Sequence, residues 1–515
     1  MRWRIRALAT ALALAASLGG LPTAAPAHAQ TIEVTTTDDT TDCEPRNCSL
    51  RGAMIRAHRL GGAHTIVLLA GVYQLSIPPD PRQDWWGLPD NGALDIAGGP
   101  ITIRGAGPDR TIIDGSRLDR IFDVDFGAQA IIEGLTVRNG DNYRTGGGGG
   151  GGIRNRGRLA LRNVDLFGNR SADGGGGLSS GQQGIPDASL SLIEVRFLNN
   201  EAGWGGGLLI DSGDASLSRV TFAANTARWR GGGIANHGHV DEFDGVTVIH
   251  NRAREVGGGI FQAGTLLVSN STISGNRAND GAAISAVPEA FTSFTAVTIT
   301  ENVARDGSAP VSVTGGRVRF VGTIVAGNRP IDCTISASTA MESSNGIEGR
   351  SSCGLRGPGD RGNLDQLGLL PLRDNGGFGP THGLRRTSPA VDAYAPCVLP
   401  RDQRGVTRPQ DGDGDGTARC DVGAVERVPG PFDFLFWQVA PGSVPLNQQV
   451  RDQLMRHLSQ ADELAQKDNL KGACAQLDVF AGDVARLAGK GDLDEKLAGD
   501  LQEGAKKARA GLKCQ

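Results

Sequence analysis

An asparagine that returns at an almost fixed interval constrains this chain more than any other feature of its sequence. It closes Leu166-Phe-Gly-Asn169, Phe197-Leu-Asn-Asn200, Phe222-Ala-Ala-Asn225 and Val248-Ile-His-Asn251. The series continues through Ile273-Ser-Gly-Asn276, Ile299-Thr-Glu-Asn302 and Val325-Ala-Gly-Asn328, and from Asn200 onward the interval is 25 or 26 residues. A glycine phrase falls between the asparagines: Gly175-Gly-Gly-Leu178, Gly205-Gly-Gly-Leu208, Gly231-Gly-Gly-Ile234 and Gly257-Gly-Gly-Ile260, weakening to Gly281-Ala-Ala-Ile284. The longer first interval holds Gly181-Gln-Gln-Gly-Ile-Pro186, which reads as a loop extruded from one coil.

A coil of this length carries two or three short strands and cannot bury its own apolar side chains, so neighbouring coils must supply the core. Stacked coils place equivalent residues about 4.8 Å apart. At the bend, asparagine tolerates a left-handed backbone, and stacked amides can bond along the column. The 77 glycines lack a period of three and alternate with β-branched strands, which excludes a collagen-like or disordered chain. The expected fold is all-β, a right-handed parallel β-helix solenoid, followed by a small C-terminal α-helical bundle.

The first residues predict export. Arg2, Arg4 and Arg6 precede an apolar run from Ala7 to Leu18, and Ala27-His28-Ala29 forms a small-residue cleavage site before Gln30. Residues 1–29 therefore read as a signal peptide. No later run is long and apolar enough for a transmembrane helix in the mature chain. Losing the three leader arginines takes the formal net charge from −4 to −7, a balance that does not suit nucleic acid or anionic lipid. The eight cysteines fall as sequence neighbours: Cys43 with Cys48, Cys333 with Cys353, Cys397 with Cys420, and Cys474 with Cys514. An even count in an oxidising compartment reads as local disulfides. The expected location is extracellular or on the cell surface, with the periplasm as a further possibility.

The two phrases together resemble the FxxN and GGA[ILV] repeats of chlamydial-type polymorphic outer-membrane proteins, and the wider set of bacterial pectin-lyase-like β-helix proteins. Cys48-Ser-Leu-Arg-Gly-Ala-Met-Ile-Arg-Ala57 resembles the CSLREA motif of secreted β-helix proteins, with Gly52 in place of its usual Glu. Ser388-Pro-Ala-Val-Asp392, Asp402-Gln-Arg-Gly-Val-Thr-Arg-Pro409 and Cys420-Asp-Val-Gly-Ala-Val-Glu426 resemble the choice-of-anchor module that follows such helices. The resemblance covers most of residues 31–427. It implies the fold and export, and no single activity.

Domain limits follow from composition. Residues 30–332 read as the β-helix with its N-terminal cap, in which Cys48 to Leu60 forms a helical lid. Early strands are expected at Thr65–Leu69, Ile101–Arg104, Thr111–Ile113 and Ile131–Val137. Residues 333–427 lose the repeat, gain Pro and Cys, and read as the C-terminal end of the helix with a disulfide and Asp-loop cap. A linker is expected over 428–445. Residues 446–515 read as a helical hairpin or three-helix module, a stalk or protein-contact unit. Leu454, Leu458, Ala461 and Leu464 have the spacing of one apolar helix face, and Leu477, Phe480, Val484 and Leu487 that of a second. Leu493, Leu497, Leu501 and Leu512 suit a third, which Asp492 with Glu495 is expected to cap. Cys474 lies early in the second helix and Cys514 late in the third, so antiparallel packing would bring them together.

Four groups of residues have side chains suited to chemistry. Asp411, Asp413 and Asp415 alternate with glycine, can turn three carboxylates toward one hard cation, and Asp421 or the Thr417 carbonyl can add ligands. A structural calcium ion is the expected cofactor, although position twelve is Val422, not the Glu of an EF-hand. Trp204, Trp229 and Arg230 precede successive glycine phrases with Glu255 and Asp280, so they should line one side, where Trp can stack on sugar rings and Arg can pair with uronates. Trp85 and Trp86 lie in a Pro-rich loop that can reach the same face. His237, His239, Asp241, Glu242, Asp244 and His250 match no ligand spacing and read as solvated positions. Asp119, Arg120, Asp123 and Asp125 have the right chemistry for a lyase or hydrolase, yet no motif selects among them. The expected function is a non-catalytic surface protein binding glycans or other surface partners. The alternative is a polysaccharide lyase or glycoside hydrolase acting in a groove along the coils.

Overall fold

The computed structural model describes residues 29–80, 89–143, 148–183, 188–305, 307–364, 366–440, 446–467 and 469–514. The leader expected over 1–29, apart from its last residue, lies outside these, as do Trp85, Trp86 and residues 184–186 of the 181–186 loop.

Residues 30–348 form a parallel β-solenoid of about nine turns. Three faces recur in each regular coil. A ten-residue strand such as Arg158–Phe167, Ser189–Leu198 or Asp214–Ala223 pairs in parallel with its equivalents above and below. It bends once in the middle, at a left-handed residue: Asn163, Glu194, Arg219, Gly245, Asn270 and Ala296 in successive coils. A short strand such as Glu201–Trp204 or Thr226–Arg230 makes the second face, and a three-residue strand such as Leu178–Ser180 or Leu208–Ile210 makes the third. All the expected early strands are present, at His64–Val67, Ile101–Arg104, Thr111–Asp114 and Gln129–Arg138.

Side-chain alternation explains the core. Leu159, Leu161, Val164 and Leu166 point inward with Leu190, Leu192, Val195 and Phe197 in register above them, all buried. The Phe197 and Phe222 rings stack 4.7 Å apart, and Phe294 and Phe320 stack 5.2 Å apart. On the short second face the inward residue is alanine in five successive coils, Ala202, Ala227, Ala253, Ala278 and Ala304.

The recurring asparagines are wholly buried and bond along the axis. Asn225 Oδ1 accepts from both the backbone N–H and the Nδ2 of Asn200, each at 3.0 Å. Its own Nδ2 donates to the Phe197 carbonyl and to Asn251 Oδ1, each at 2.9 Å. This pattern runs from Asn169 to Asn328, where Asp332 Oδ1 receives the last two donors at 3.0 Å. The left-handed residue expected at the asparagine is instead the one before it, Asn199, Ala224, His250 and Glu301 among them. The bend rotates the asparagine side chain inward, so the strain falls on its neighbour. A Cβ on Gly207 would meet the Gly233 carbonyl at 2.8 Å and the Asn225 amide at 3.2 Å, so the glycine phrase keeps the space the ladder occupies.

Helix α1, Leu50–Leu60, covers the first coil, capped by Ser49 accepting from the Gly52 N–H. The CSLR-like segment is a packing device. Cys48 bonds Cys43, Leu50 enters the core, and fully buried Arg51 pairs with Asp39 at 2.7 Å while donating to the Pro89 and Gly92 carbonyls. At Gly52, any Cβ would lie 1.9 Å from the Asp42 carbonyl, so the glutamate usual at this place cannot fit.

Residues 333–427 divide in two. Strands Cys333–Ile335, Ala340–Ser344 and Ile347–Glu348 finish the stack. The chain then doubles back along the outside of the long strands, where a buried hydroxyl column meets it. Gln403 bonds Thr272 Oγ1 at 2.6 Å and Thr247 Oγ1 at 2.8 Å, Ala424 N–H donates to Thr298 Oγ1, and His382 meets Ser274. The segment was expected to hold the end of the stack and a disulfide and Asp-loop cap. Much of it covers the flank instead, because the outward threonines and Ile324 offer it both hydrogen bonds and a small core with Val391, Tyr394 and Val422.

The 428–445 linker contains a helix of its own, α2, Asp433–Val439, whose Leu435, Phe436 and Val439 enter the C-terminal core. Its apolar residues have the spacing of a helix face, and packing holds them. Helices α3, Gln448–Gln466, α4, Leu470–Gly489, and α5, Glu495–Gly511, with Leu493 and Leu512 just beyond the ends of α5, pack the predicted apolar positions into one core, Leu464 and Leu512 only partly buried. The cap of α5 is Asp494, accepting from Lys496 and Leu497 N–H, rather than Asp492, because Leu493 is drawn into the core.

All four expected disulfides are formed, and each ties a different part of the chain. Cys43 bonds Cys48 beside the helical lid. Cys333 bonds Cys353 where the stack ends, and both are buried against the last core residues. Cys397 bonds Cys420 within the flank segment. Cys474 bonds Cys514, joining the start of α4 to the residues that follow α5, as antiparallel packing of the two helices requires. No helix among the described residues is long and apolar enough to cross a membrane.

The ladder generates a stability prediction. Replacing Asn251 with Ala removes the side-chain partner of the Asn225 N–H and of the Phe222 carbonyl, and one bond from each of the Asn225 and Asn276 amides, in a buried column. Each orphaned group costs about 1–3 kcal/mol, so the urea midpoint of Asn251→Ala should fall well below that of the parent protein. An unchanged midpoint would show that the ladder is not a main source of stability.

Candidate functional sites: an aromatic–arginine face, a buried ionic cluster and an aspartate loop

Trp204, Trp229 and Arg230 do come together on one side. The Arg230 guanidinium lies 5.0 Å from the Trp204 ring and 5.1 Å from Phe261. Trp204, His237 and Phe261 form an edge-to-face triad with centroids 5.7–5.9 Å apart. Trp204 is thus half-buried beneath an arginine, whereas Trp229 stays 39% exposed. Arg228 sits between Trp229 and Tyr143, 5.1 Å from each ring, and Arg170 covers Tyr143 from 5.0 Å. Tyr143 and Arg228 escaped the sequence reading because they are 85 residues apart and lie in different coils; only the register unites them. Glu255 faces Arg230 at 3.9 Å, and Asp280 accepts from Ser312. The histidine cluster disperses: His237 joins the triad beside Asp211, His239 pairs with Asp241, and His250 lies over Gly275.

A second constellation lies on the third face near the N-terminal end. Asp95, Asp123 and Arg154 occupy one column in successive coils. Arg154 Nε donates to Asp123 Oδ1 at 2.9 Å and its Nη2 to the other oxygen, while Arg156 pairs with Asp125 at 2.7 Å. Buried Arg120 donates to the Gly149 carbonyl at 3.0 Å. Burial alone would raise the Asp123 carboxyl, but the Arg154 bond and the Arg120 charge hold it below the ordinary range. Asp95 has no such bond; burial, then the Asp123 charge, push it up to about 8. Two neighbouring carboxyls therefore stand in opposite protonation states near neutral pH, the arrangement an acid–base pair requires. Asp123, Asp125 and Arg120 were among the sequence candidates. Asp95 was not, since nothing local distinguishes it before the coils stack.

The aspartate loop brings together a different set from the one the spacing predicts. Asp411, Asp413 and Asp392 each offer a carboxylate oxygen, all within 4.8 Å of one another. Asp415 turns back onto the Thr417 N–H at 2.7 Å. Asp421 is fully buried and accepts from the Asp392 and Arg427 N–H groups, so it braces the cluster from behind. Its carboxyl is pushed up to about 8 by burial and by Glu426. Asp392 is raised by burial, and by Asp413 and Asp411, against two backbone donors. Beside it Arg408 and Glu426, both without side-chain exposure, pair at 2.6 Å, and Arg404 pairs with Asp402 at 2.7 Å. The choice-of-anchor-like residues thus form the polar core of the flank segment. Gly414 meets α2 at Asp433, so the loop sits at the joint between flank and helices.

The Asp95 shift predicts a pH dependence. An unfolded aspartate titrates near 3.9, so from about pH 4 to 8 the folded chain keeps a proton that the unfolded chain has released. Stability falls as pH rises through that window, and the penalty is complete above it. Asp95→Asn should therefore melt above the parent protein at about pH 9, with the gap closing toward about pH 4. A gap independent of pH would rule out an uncompensated Asp95.

No protein-family model, curated protein or solved structure matches this chain. Its fold, a parallel β-solenoid with a helical C-terminal region, is what the structure itself shows.

Proposed function

We propose that this chain is an exported or cell-surface solenoid that binds glycans through its aromatic–arginine face, in adhesion and without catalysis. The observation that carries the reading is the Trp229–Arg228–Tyr143 row, in which a half-buried guanidinium lies 5.1 Å from each of two exposed rings across the coils. Exposed rings flanked by arginine suit sugar faces on one side and carboxylates on the other. The leader-like first residues and four disulfides support export. The resemblance of the Cys48 and Asp402 segments to secreted pectin-lyase-like β-helix proteins points the same way. The C-terminal helices serve on this reading as a stalk or protein-contact module.

Calcium belongs to the same proposal as a structural ion, held by Asp392, Asp411 and Asp413. Three carboxylates this close repel one another unless a cation or protons offset their charge. Calcium at about a hundredfold its dissociation constant should stabilise the fold by roughly 2.7 kcal/mol, read as a higher melting temperature that Asp413→Asn abolishes. A melting temperature indifferent to calcium and to chelator would remove the ion.

A second reading has its own observation. The neutral Asp95 beside ionised Asp123, among Arg120 and Arg154, suits a lyase or hydrolase of acidic polysaccharides. Pull-down and product release on one panel of neutral and uronate polymers separate the two. Binding without cleavage, weakened about tenfold by Trp229→Ala, is expected. Cleavage lost in Asp95→Asn would replace the adhesive reading with the enzymatic one.

A further inference from the structure

One outward column of the short second face changes character along the axis. In register it reads Asp141, Arg170, Glu201, Thr226, Arg252, Arg277, Val303 and Arg329. Its first part neutralises itself, since Arg170 lies 3.7 Å from Asp141 and 3.4 Å from Glu201. From Arg252 onward the acids disappear. The outward position two residues later in each strand reads Arg228, Arg254, Asn279 and Arg305. The two columns flank the buried alanine row and line a shallow depression of about 360 Å³, containing five arginines and no acid. Arg252, Arg254, Arg277 and Arg305 are exposed, and none has an ion pair among the described residues. Like charges directly opposite on adjacent strands destabilise a sheet, and successive coils hold them only about 4.8 Å apart. The chain as a whole is acidic, so these arginines are a local concentration and not part of a general positive field.

We infer that the face formed by Arg252, Arg254, Arg277 and Arg305 binds the carboxylates of an acidic polysaccharide that runs along the solenoid axis, across the strands. This deepens the glycan reading above and rests on it. Three features favour a uronate polymer. Guanidinium groups recur at every coil, so a polymer with regularly repeated carboxylates meets a donor fork at each step. Arg228 belongs to the depression and also lies against Trp229 and Tyr143, which joins the anion site to the ring platform in one continuous track. A polyphosphate or a duplex nucleic acid presents no open ring face to the adjoining Trp229 and Tyr143 rings, whereas a pyranose polymer does.

The test uses the full mature chain, with chelator present so that calcium cannot bridge. Binding is measured to immobilised alginate, which carries one carboxylate on every sugar, to neutral dextran and to duplex DNA, over a range of salt. The fourfold variant Arg252→Gln/Arg254→Gln/Arg277→Gln/Arg305→Gln is compared with the parent protein and with Arg277→Glu. The parent protein should hold alginate in a salt-dependent way, and the fourfold variant should lose at least about tenfold in affinity. Its melting temperature should stay level or rise as the repulsion is removed. Arg277→Glu should weaken alginate more than any single glutamine change. Undiminished alginate binding by the fourfold variant overturns the inference and leaves the glycan reading standing. Dextran held as tightly as alginate, in a Trp229-dependent way, does the same. Failure to hold any glycan overturns both, and tighter binding of DNA than of alginate overturns the inference in favour of a nucleic-acid site.

Discussion

The asparagine ladder is the interaction on which the rest of this structure depends. A parallel solenoid must turn a corner in every coil, and each turn takes backbone groups away from the strand ladders that would satisfy them. The buried amides of Asn169 through Asn328 meet that need. From Asn200 to Asn302 each accepts two bonds from the asparagine of the coil before, and donates both to the asparagine of the coil after and to a carbonyl of the coil before. Because buried polar groups are costly unless paired, the column makes the coil spacing nearly obligatory. Asp332 closes it with a carboxylate, where another asparagine would demand a further acceptor of its own.

With the spacing imposed, each outward position becomes a column, and columns are what give the molecule its distinct sides. The threonines Thr221, Thr247, Thr272 and Thr298 form a hydroxyl row that the 364–427 segment covers, and Gln403 and the Ala424 amide read that row directly. Another side carries rings and arginines. The third face carries the Asp95–Asp123–Arg154 cluster toward its N-terminal end and, further along the same column, Phe261 of the ring group. Nothing in local sequence marks these as separate surfaces. They arise because residues about 25 apart fall into line, while neighbours two apart in one strand share a face.

The parts of the chain that resemble known motifs prove to be concerned with packing. Ser49 caps a helix, Arg51 is buried with Asp39, and Gly52 makes room for the Asp42 carbonyl. Arg408, Glu426, Asp402 and Arg404 assemble the buried polar centre of the flank segment. In this chain their contacts are those of packing and of buried ion pairs. The candidate site was legible in part. Trp204, Trp229 and Arg230 were visible because they hold near-equivalent places before the glycine phrases. Tyr143, Arg228 and Asp95 were not, since each acquires its neighbours only across coils.

The aspartate loop shows the same division at close range. Its alternating Asp and Gly were visible as three carboxylates able to converge, yet the chain places Asp392, 21 residues before Asp413, in the position where Asp415 was expected. Local turns draw the Asp415 carboxylate to the Thr417 amide, while the buried Asp421 holds the Asp392 backbone in place. By itself the sequence determined the repeat, the coil length and the helical C-terminal module, and pointed to local disulfides, because these depend on periodicity and on contacts between near neighbours. Tertiary structure alone decided which arginines face one another without acids, which carboxyl stays protonated, and which aspartates converge. Those properties depend on burial and on distances between coils, and neither exists until the coils are stacked.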